Sequence, residues 1–191
     1  MCRQNLHAEA TYICPSYWLA EAYNTSWKYQ HSVAPALHTS DLPAVFSNQG
    51  SPNQVHRLGQ DYRAAFQRIW RDYVTCGNPT RSVGKVKDHT RPSLYSVNGT
   101  RAEALQTEHT RHGRHEKTWP QYHSHSHPIM LNLNQTGGDY TERVVWGPLK
   151  AALHLNPGLK NDFTLVNAEL WEGGRGARCR FWHEHIWKLP G

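Results

Sequence analysis

The sequence predicts an α/β fold in which helices flank an incomplete sheet of two or three strands. Three segments predict it: residues 59 to 76 carry one apolar stripe at helical spacing, residues 26 to 33 alternate, and residues 129 to 134 form a compact strand signal. The chain of 191 residues is long enough for one ordinary domain or for part of a larger one. Because so few strands cannot make a doubly wound sheet, the rest of such a sheet would have to lie elsewhere.

The first predicted elements are a helix and a strand. Residues 15 to 23, "PSYWLAEAY", predict the helix because Pro15 suits a first helical turn. The apolar residues that share one of its faces are Trp18, Leu19, Ala22 and Tyr23. Residues 26 to 33, "SWKYQHSV", then alternate between large and small or polar side chains, which predicts the strand.

The clearest predicted element is a long helix at residues 59 to 76, "GQDYRAAFQRIWRDYVTC". The residues on its apolar stripe are Tyr62, Ala65, Phe66, Ile69, Trp70 and Tyr73. Gly77 and Pro79 follow and predict its end. Residues 81 to 117 are rich in Arg, His, Thr and Ser without apolar periodicity, so we expect an exposed insertion or a disordered loop there.

After the strand at 129 to 134, one segment is compatible with a helix and a later one predicts a helix. Residues 139 to 156 are compatible with a helix that "WGPL" interrupts. Residues 179 to 187, "CRFWHEHIW", predict the final helix. Its apolar face consists of Phe181, Trp182, His185 and Ile186. The glycines of "WEGGRGARC", residues 171 to 179, predict a turn into that helix, since the frame of a phosphate-binding loop is absent.

Composition and charge exclude several classes of function. The 21 basic and 15 acidic residues are dispersed, and no RNP-like or zinc-finger frame is present, so we expect no nucleic-acid partner. No apolar run approaches the roughly 20 residues of a membrane span. The first ten residues, "MCRQNLHAEA", lack the apolar core of a signal peptide.

Two other features are typical of exported proteins. The four cysteines form an even set, and Asn24, Asn98 and Asn134 each begin an N-x-S/T sequon for glycosylation. An exported composition without a signal peptide leads us to expect that the natural N-terminus is missing.

The candidate catalytic residue is His38, in "PALHTSDLPAVF", residues 35 to 46. A histidine in the loop after a sheet strand, followed by a long amphipathic helix, matches the general base of an α/β hydrolase. Imidazole titrates close to neutral pH, so it can accept a proton from a nucleophile and return it to a leaving group. The alternative is a surface histidine with no role.

A nucleophile and an acid are missing from the pattern. No G-x-S-x-G elbow occurs in the chain, and the serines that precede His38 lie in helix-like and strand-like segments without elbow glycines. Asp41 follows His38 by three residues, which suits a loop or helix-capping acid better than a group that orients the imidazole.

Several separated motifs carry a family resemblance. They are "TYICPSYWLAEAY", "PALHTSDLPAVF", "RIWRDYVTCGNP", "WPQY" with "PIMLNLN", and "VNAELWEGGRGARCRFW". In order and approximate spacing they resemble the C-terminal third of fungal type B carboxylesterases and lipases, relatives of the cholinesterases. The resemblance covers residues 11 to 187 apart from the insertion at 81 to 117, and residues 1 to 10 do not match.

The resemblance implies the C-terminal portion of an α/β-hydrolase fold, an ester substrate and no cofactor. It implies that His38 is the catalytic histidine and that the serine and the acid belong to the two-thirds of the enzyme that precede this segment. The chain alone would then be inactive. Secretion is expected of the intact enzyme, and neither the substrate's acyl chain length nor the oligomeric state is indicated.

The resemblance also assigns the cysteines. Cys14 and Cys179 match the half-cystines that join the start of this region to the final helix in relatives. Such a bridge would close a loop of 165 residues (179 minus 14), for which loop entropy suggests on the order of 4 to 5 kcal/mol. Cys2 lies outside the match, and Cys76 stands where relatives have another residue. We expect both to be free thiols.

Two alternatives remain open from the sequence. The segment "HSHSHP" carries histidines at alternating positions, namely His123, His125 and His127. In an extended chain their side chains would lie on one side and could bind Zn or Ni. We expect no physiological metal site, because no thiolate or carboxylate stands nearby at structural spacing. The chain could instead be a non-catalytic His-rich module that binds metals or acidic partners. The polar stretch at 81 to 117 could also be retained intron-like sequence.

Overall fold

The computed structural model describes residues 6–46, 58–81, 83, 86–89, 116–146, 149–155 and 157–186. Within these residues the fold is mixed α/β, with a central five-stranded sheet between helices. In chain order the strands are β1 (Tyr29–His31), β2 (Val86–His89), β3 (Glu116–Lys117), β4 (Ile129–Leu133), β5 (Gln135–Thr136), β6 (Asp139–Trp146), β7 (Leu149–Leu155), β8 (Lys160–Asn161) and β9 (Thr164–Asn167).

The central sheet has the strand order β1-β4-β9-β2-β3. β1 runs parallel to β4, and β2 runs parallel to β9, whereas β4 with β9 and β2 with β3 are antiparallel. Between β4 and β9 the chain makes an antiparallel excursion, in which β5 pairs with β8 and β6 pairs with β7. The sheet is therefore mixed.

The helices lie at both ends of the chain and between the first strands. They are α1 (Cys14–Ala22), α2 (Leu42–Val45), α3 (Gln60–Cys76) and α4 (Trp171–His185). A π-helical turn, Glu9–Ile13, leads into α1, and a 3-10 turn, Pro79–Arg81, follows α3. None of the described helices is long and apolar enough to cross a membrane.

α3 confirms the helix predicted at 59 to 76. Its core side carries Tyr62, Phe66 and Ile69, which are buried. Full burial of side chains of this kind stabilises the fold by about 1.5–3 kcal/mol each. The helix ends at Gly77, whose φ of 64° is left-handed and whose N–H donates to the Tyr73 carbonyl at 2.8 Å.

Alternation along β4 divides the core between two faces of the sheet. Leu131 and Leu133 pack in the cluster that contains α3, whereas Met130 packs in a second cluster with α1 and α4. Since successive side chains of a strand point to opposite faces, the helices form layers on both sides of the sheet. β4 is accordingly buried along nearly its whole length.

The first helix is confirmed in position, but its predicted apolar face is wrong. α1 buries Cys14 and Tyr17, while Leu19 and Tyr23 are 61% and 63% exposed. The disulfide partner and the end of the sheet lie on the side of Cys14 and Tyr17, and they decide which side of the helix is covered. The strand predicted at 26 to 33 is shorter than expected, since only Tyr29–His31 pairs with β4.

The segment predicted as an exposed insertion or a disordered loop, residues 81 to 117, contributes two described strands. β2 and β3 belong to the central sheet, and β2 pairs with β9 across a wide separation in sequence. The backbone hydrogen bonds of β2 are made with a strand distant in sequence, so local periodicity does not predict this strand. Residues 90–115 lie outside the described part of the chain.

Between residues 139 and 156, the described ranges 139–146 and 149–155 form no helix. They make the β6–β7 pair, which runs from Asp139 opposite Leu155 to Trp146 opposite Leu149. The β-branched residues Thr141, Val144 and Val145 favour a strand over a helix. Gly137 and Gly138, both at positive φ, set the turn into β6. The helix prediction there is wrong.

The final helix is confirmed, with a different buried face. α4 buries Arg175, Gly176 and Cys179, while Phe181 is 54% exposed and stacks on His185 at 4.3 Å. The expected glycine turn is present as well, because Glu172, Gly173 and Gly174 leave the helical conformation at φ of 47°, 73° and 92°.

Candidate functional site

His38 lies in a tight loop between β1 and α2. Backbone hydrogen bonds close successive turns of this loop, from Ala36 N–H to the Val33 carbonyl at 2.9 Å and from Ser40 N–H to the Leu37 carbonyl at 3.0 Å. Thr39 beside His38 has a φ of 69°, which is rare for a β-branched residue. Such residues cost on the order of 1–3 kcal/mol and are typical of functional loops.

The imidazole of His38 is exposed and stacks on one aromatic ring. The ring of Tyr12, from the π-helical turn before α1, lies 4.7 Å away at an angle of 27°. Among the described residues, no side chain or backbone group makes a hydrogen bond to either nitrogen of His38. The ring is therefore held on one face while its nitrogens remain open to another group.

Asp41 does not orient His38. Its Oδ2 accepts a hydrogen bond from the Tyr29 hydroxyl at 3.0 Å, and it stands at the N-cap of α2 without a side-chain capping bond. Burial, and then the Asp41 charge, raise the pKa of Tyr29 well above its usual range. Asp41 is thus a loop acid, as expected, but its partner is a tyrosine of β1.

The neighbouring histidine of β1 has a structural environment. His31 Nδ1 lies 2.7 Å from the Tyr62 hydroxyl of α3. Burial lowers the pKa of His31, and the nearby Asp41 opposes this only in part. His31 is therefore kept neutral between the sheet and α3, whereas His38 faces outwards.

A serine nucleophile and a catalytic acid are not brought to His38. Within the described ranges, no serine hydroxyl and no carboxylate is hydrogen bonded or ion paired to its ring. The imidazole can accept a proton from a group presented to it, but the described residues place no nucleophile and no acid beside it.

The predicted disulfide is present. Cys14 of α1 is bonded to Cys179 of α4, with the Cα atoms 4.9 Å apart and both residues buried. It joins the two helices that cover one face of the sheet. Cys76 at the end of α3 is an exposed free thiol, and Cys2 lies outside the described residues.

The glycosylation candidates differ in accessibility. Asn24 is exposed in the bend after α1. Asn134 is half-buried between β4 and β5, and its Oδ1 accepts a hydrogen bond from Gln135 N–H at 2.9 Å. Asn98 lies outside the described part of the chain. Of the two described sequons, Asn24 is the more accessible to a glycan.

The histidines of "HSHSHP" occupy a turn and not an extended strand. His123 and His127 exchange backbone hydrogen bonds of 3.1 and 2.9 Å, which brings the chain back on itself around His125. All three are exposed. The described residues contain no group of three or more His, Cys, Asp or Glu placed to hold a metal ion.

Sequence reasoning missed a cavity of about 370 Å³. It is lined by Ser16, Leu19, Ala20, Tyr23, Thr25, Ser26, Trp27, Tyr29, Ile69, Trp70, Tyr73, Pro79 and Trp119. Most of these residues come from α1, from the segment that enters β1 with Tyr29 at its start, and from the C-terminal half of α3. Pro79 of the 3-10 turn and Trp119, between β3 and β4, complete the wall. His38 instead follows the opposite, C-terminal end of β1, so the cavity and the histidine are separate sites. The exposed Leu19 and Tyr23 of α1 are the signal that could have revealed it.

Comparisons of the chain with family models, with curated proteins and with solved structures give no match.

Proposed function

We propose that this chain is the C-terminal part of a serine carboxylic-ester hydrolase of the type B carboxylesterase family, with His38 as its general base. The observation that carries the proposal is the place of His38 in the fold. It is exposed in the loop after β1, and the long helix α3 follows that loop. β1 itself pairs in parallel with β4, which comes later in the chain, after β2 and β3. An α/β hydrolase carries its triad histidine in such a loop, after the serine and the acid in chain order.

The open edge of the sheet supports the same proposal. β1 pairs with β4 on one side and has no second neighbour among the described strands. An edge strand presents a row of N–H and C=O groups that another strand can pair with. In the proposed enzyme, the strands that bear the serine and the acid precede this segment, and their sheet continues from this edge.

In that enzyme the chemistry of His38 is proton transfer. The imidazole accepts the proton of the serine hydroxyl as the oxygen attacks the ester carbonyl, and it returns the proton to the departing alcohol. A water molecule deprotonated by the same imidazole then releases the acyl group. The Tyr12 ring stacked on His38 limits the orientations available to the imidazole.

The disulfide and one sequon favour an exported enzyme. Disulfides form and persist in secreted proteins, and Cys14 is joined to Cys179 across the whole segment. Asn24 is exposed, as a glycosylated asparagine must be.

The first test is the coding sequence 5′ of the Met1 codon in the transcript. We expect an in-frame G-x-S-x-G elbow followed by an acidic residue. In the enzyme expressed from that full reading frame, His38→Ala should lower kcat for a short-chain ester by about 10⁴- to 10⁶-fold. His125→Ala, at an exposed histidine of the His123–His127 turn, is the matched control and should retain activity.

A reading frame without a serine elbow would refute the proposal, as would a His38→Ala enzyme of normal activity. The 191-residue chain alone should show no steady-state turnover of a chromogenic ester. Turnover by this chain that disappears in His38→Ala would show that its nucleophile lies within these residues.

A further inference from the structure

A serine and a lysine meet at the wall of the cavity, which His38 does not line. The Nζ atom of Lys28 lies 2.7 Å from the Oγ atom of Ser16. Ser16 is exposed on α1 and lines the cavity, whereas Lys28 is only 7% exposed and stands behind it at the entry to β1. A ligand in the cavity would thus reach the hydroxyl, with the amine on the protein side.

The surroundings of Lys28 favour its neutral form. Burial comes first and the charge of Arg175 from α4 second, and together they lower the pKa of Lys28 to about 7, with Glu21 of α1 opposing them. The centroid of the Tyr17 ring lies 3.8 Å from Nζ, so the ring makes a cation–π contact with the ammonium form of Lys28. Above neutral pH the amine is largely available to accept a proton.

The hydroxyl of Ser16 has two hydrogen-bonding choices. Its Oγ lies 2.6 Å from the Ile13 carbonyl oxygen. When Lys28 is an ammonium, Nζ donates a hydrogen bond to Oγ, and the Ser16 hydroxyl donates to the Ile13 carbonyl. When Lys28 is neutral, its lone pair can take the hydroxyl proton. A serine with a neutral lysine beside it is an established variant of the activated nucleophile.

The cavity has the chemistry of an acyl-group site. Its walls are mainly aromatic and aliphatic, which suits an apolar acyl chain. The side chains of Trp27, Trp70 and Trp119 form part of these walls.

We propose that Ser16 and Lys28 form an acyl-accepting pair, in which Ser16 takes an acyl group from esters whose apolar chain lies in the cavity. Lys28 Nζ accepts the hydroxyl proton while Ser16 Oγ bonds to the carbonyl carbon. The bond from that carbon to the alcohol oxygen breaks, and the departing alkoxide takes the proton from the Lys28 ammonium. The products are acyl-Ser16 and the free alcohol. The reaction does not involve His38.

The test is the labelling of the purified 191-residue chain by p-nitrophenyl butyrate, followed by intact mass and peptide mapping. We expect one butyryl group on Ser16, absent in Ser16→Ala. Lys28→Met, with its folding checked by circular dichroism, should be labelled about 10²-fold more slowly or worse, because general-base assistance is typically worth 10²–10⁴. The wild-type rate should rise with pH through the Lys28 pKa of about 7.

Two controls keep this test independent of the proposed esterase. Ser26 lines the same cavity, but its hydroxyl donates to the Ala20 carbonyl at 2.8 Å, so Ser26→Ala should be labelled like wild type. His38→Ala should be labelled like wild type as well. No labelling of Ser16, labelling unchanged in Lys28→Met, or a butyryl group on Lys28 itself would overturn the proposal and leave that for His38 untouched.

Discussion

Two basic residues, Lys28 and Arg175, are buried where α1, β1 and α4 meet. Arg175 is 3% exposed: its Nη1 donates to Gln30 Oε1 at 2.8 Å and its Nη2 contacts Glu172, while its Nε has no acceptor among the described residues. Lys28 has the Ser16 hydroxyl and the Tyr17 ring but no salt bridge within the described residues. A buried amine without a counter-ion penalises its own protonated form.

Lys28→Met should therefore stabilise the fold at low pH. The folded pKa of about 7 lies below the ordinary value of 10.5, so between these values the unfolded chain holds a proton that the folded chain has lost. The free energy of unfolding consequently rises with pH between about 7 and 10.5. Below pH 7, the buried charge of Lys28 lowers the free energy of unfolding by its full amount. We expect Lys28→Met to raise the free energy of unfolding by about 1–4 kcal/mol at pH 6 and by less at pH 10.

Urea denaturation at both pH values measures this difference. Lys150→Met, at an exposed lysine of β7, is the matched control and should shift stability by less than about 0.5 kcal/mol at either pH. An equal effect of Lys28→Met at pH 6 and pH 10 would show that the charge of Lys28 carries no penalty in the fold.

At the scale of elements, the helices differ in whether the local sequence pattern predicts the face that they bury. α3 has a stripe of large residues with a glycine after it, and both its bounds and its core side agree with the pattern. α1 and α4 are joined by the Cys14–Cys179 bond, and their buried sides follow that bond. Pattern alone identified these two helices but not the faces that they bury.

Gly77 ends α3 in the left-handed conformation, and substitutions there measure how much this helix end contributes to stability. An added Cβ would meet nothing within 4 Å, so the cost of Gly77→Ala is conformational only. We expect a loss of about 1–2 kcal/mol from the left-handed φ of 64°. Gly77→Asn should cost less, because asparagine tolerates this conformation better. Thermal or urea denaturation measures both, and a variant pair of equal stability would contradict the left-handed helix end.

At the scale of the whole molecule, two helical layers differ in how they are held. α3 is held to the sheet by buried aromatic and aliphatic side chains. On the other face, a covalent bond between residues 165 apart in sequence joins α1 to α4. The bond thereby connects the first part of the described chain to its last helix on one face of the sheet.

Removal of this bond should cost more than any single surface change. Cys14→Ala with Cys179→Ala is expected to lower the free energy of unfolding by on the order of 4 to 5 kcal/mol, through the restored freedom of the unfolded chain. Cys76→Ala, at the exposed free thiol, is the control and should change it by less than about 0.5 kcal/mol. Urea denaturation under non-reducing conditions measures both variants. A double variant as stable as wild type would exclude a stabilising role for the bond.

The sequence by itself determined the mixture of helices and strands, α3 with its end at Gly77, the strand β4 and the loop that carries His38. These are local features, because periodicity, turn residues and apolar runs act over a few residues. The tertiary structure alone decided the strands β2 and β3, the β6–β7 pair and the cavity wall with Ser16 beside Lys28. Each of these depends on segments distant in sequence, whose meeting no local pattern specifies.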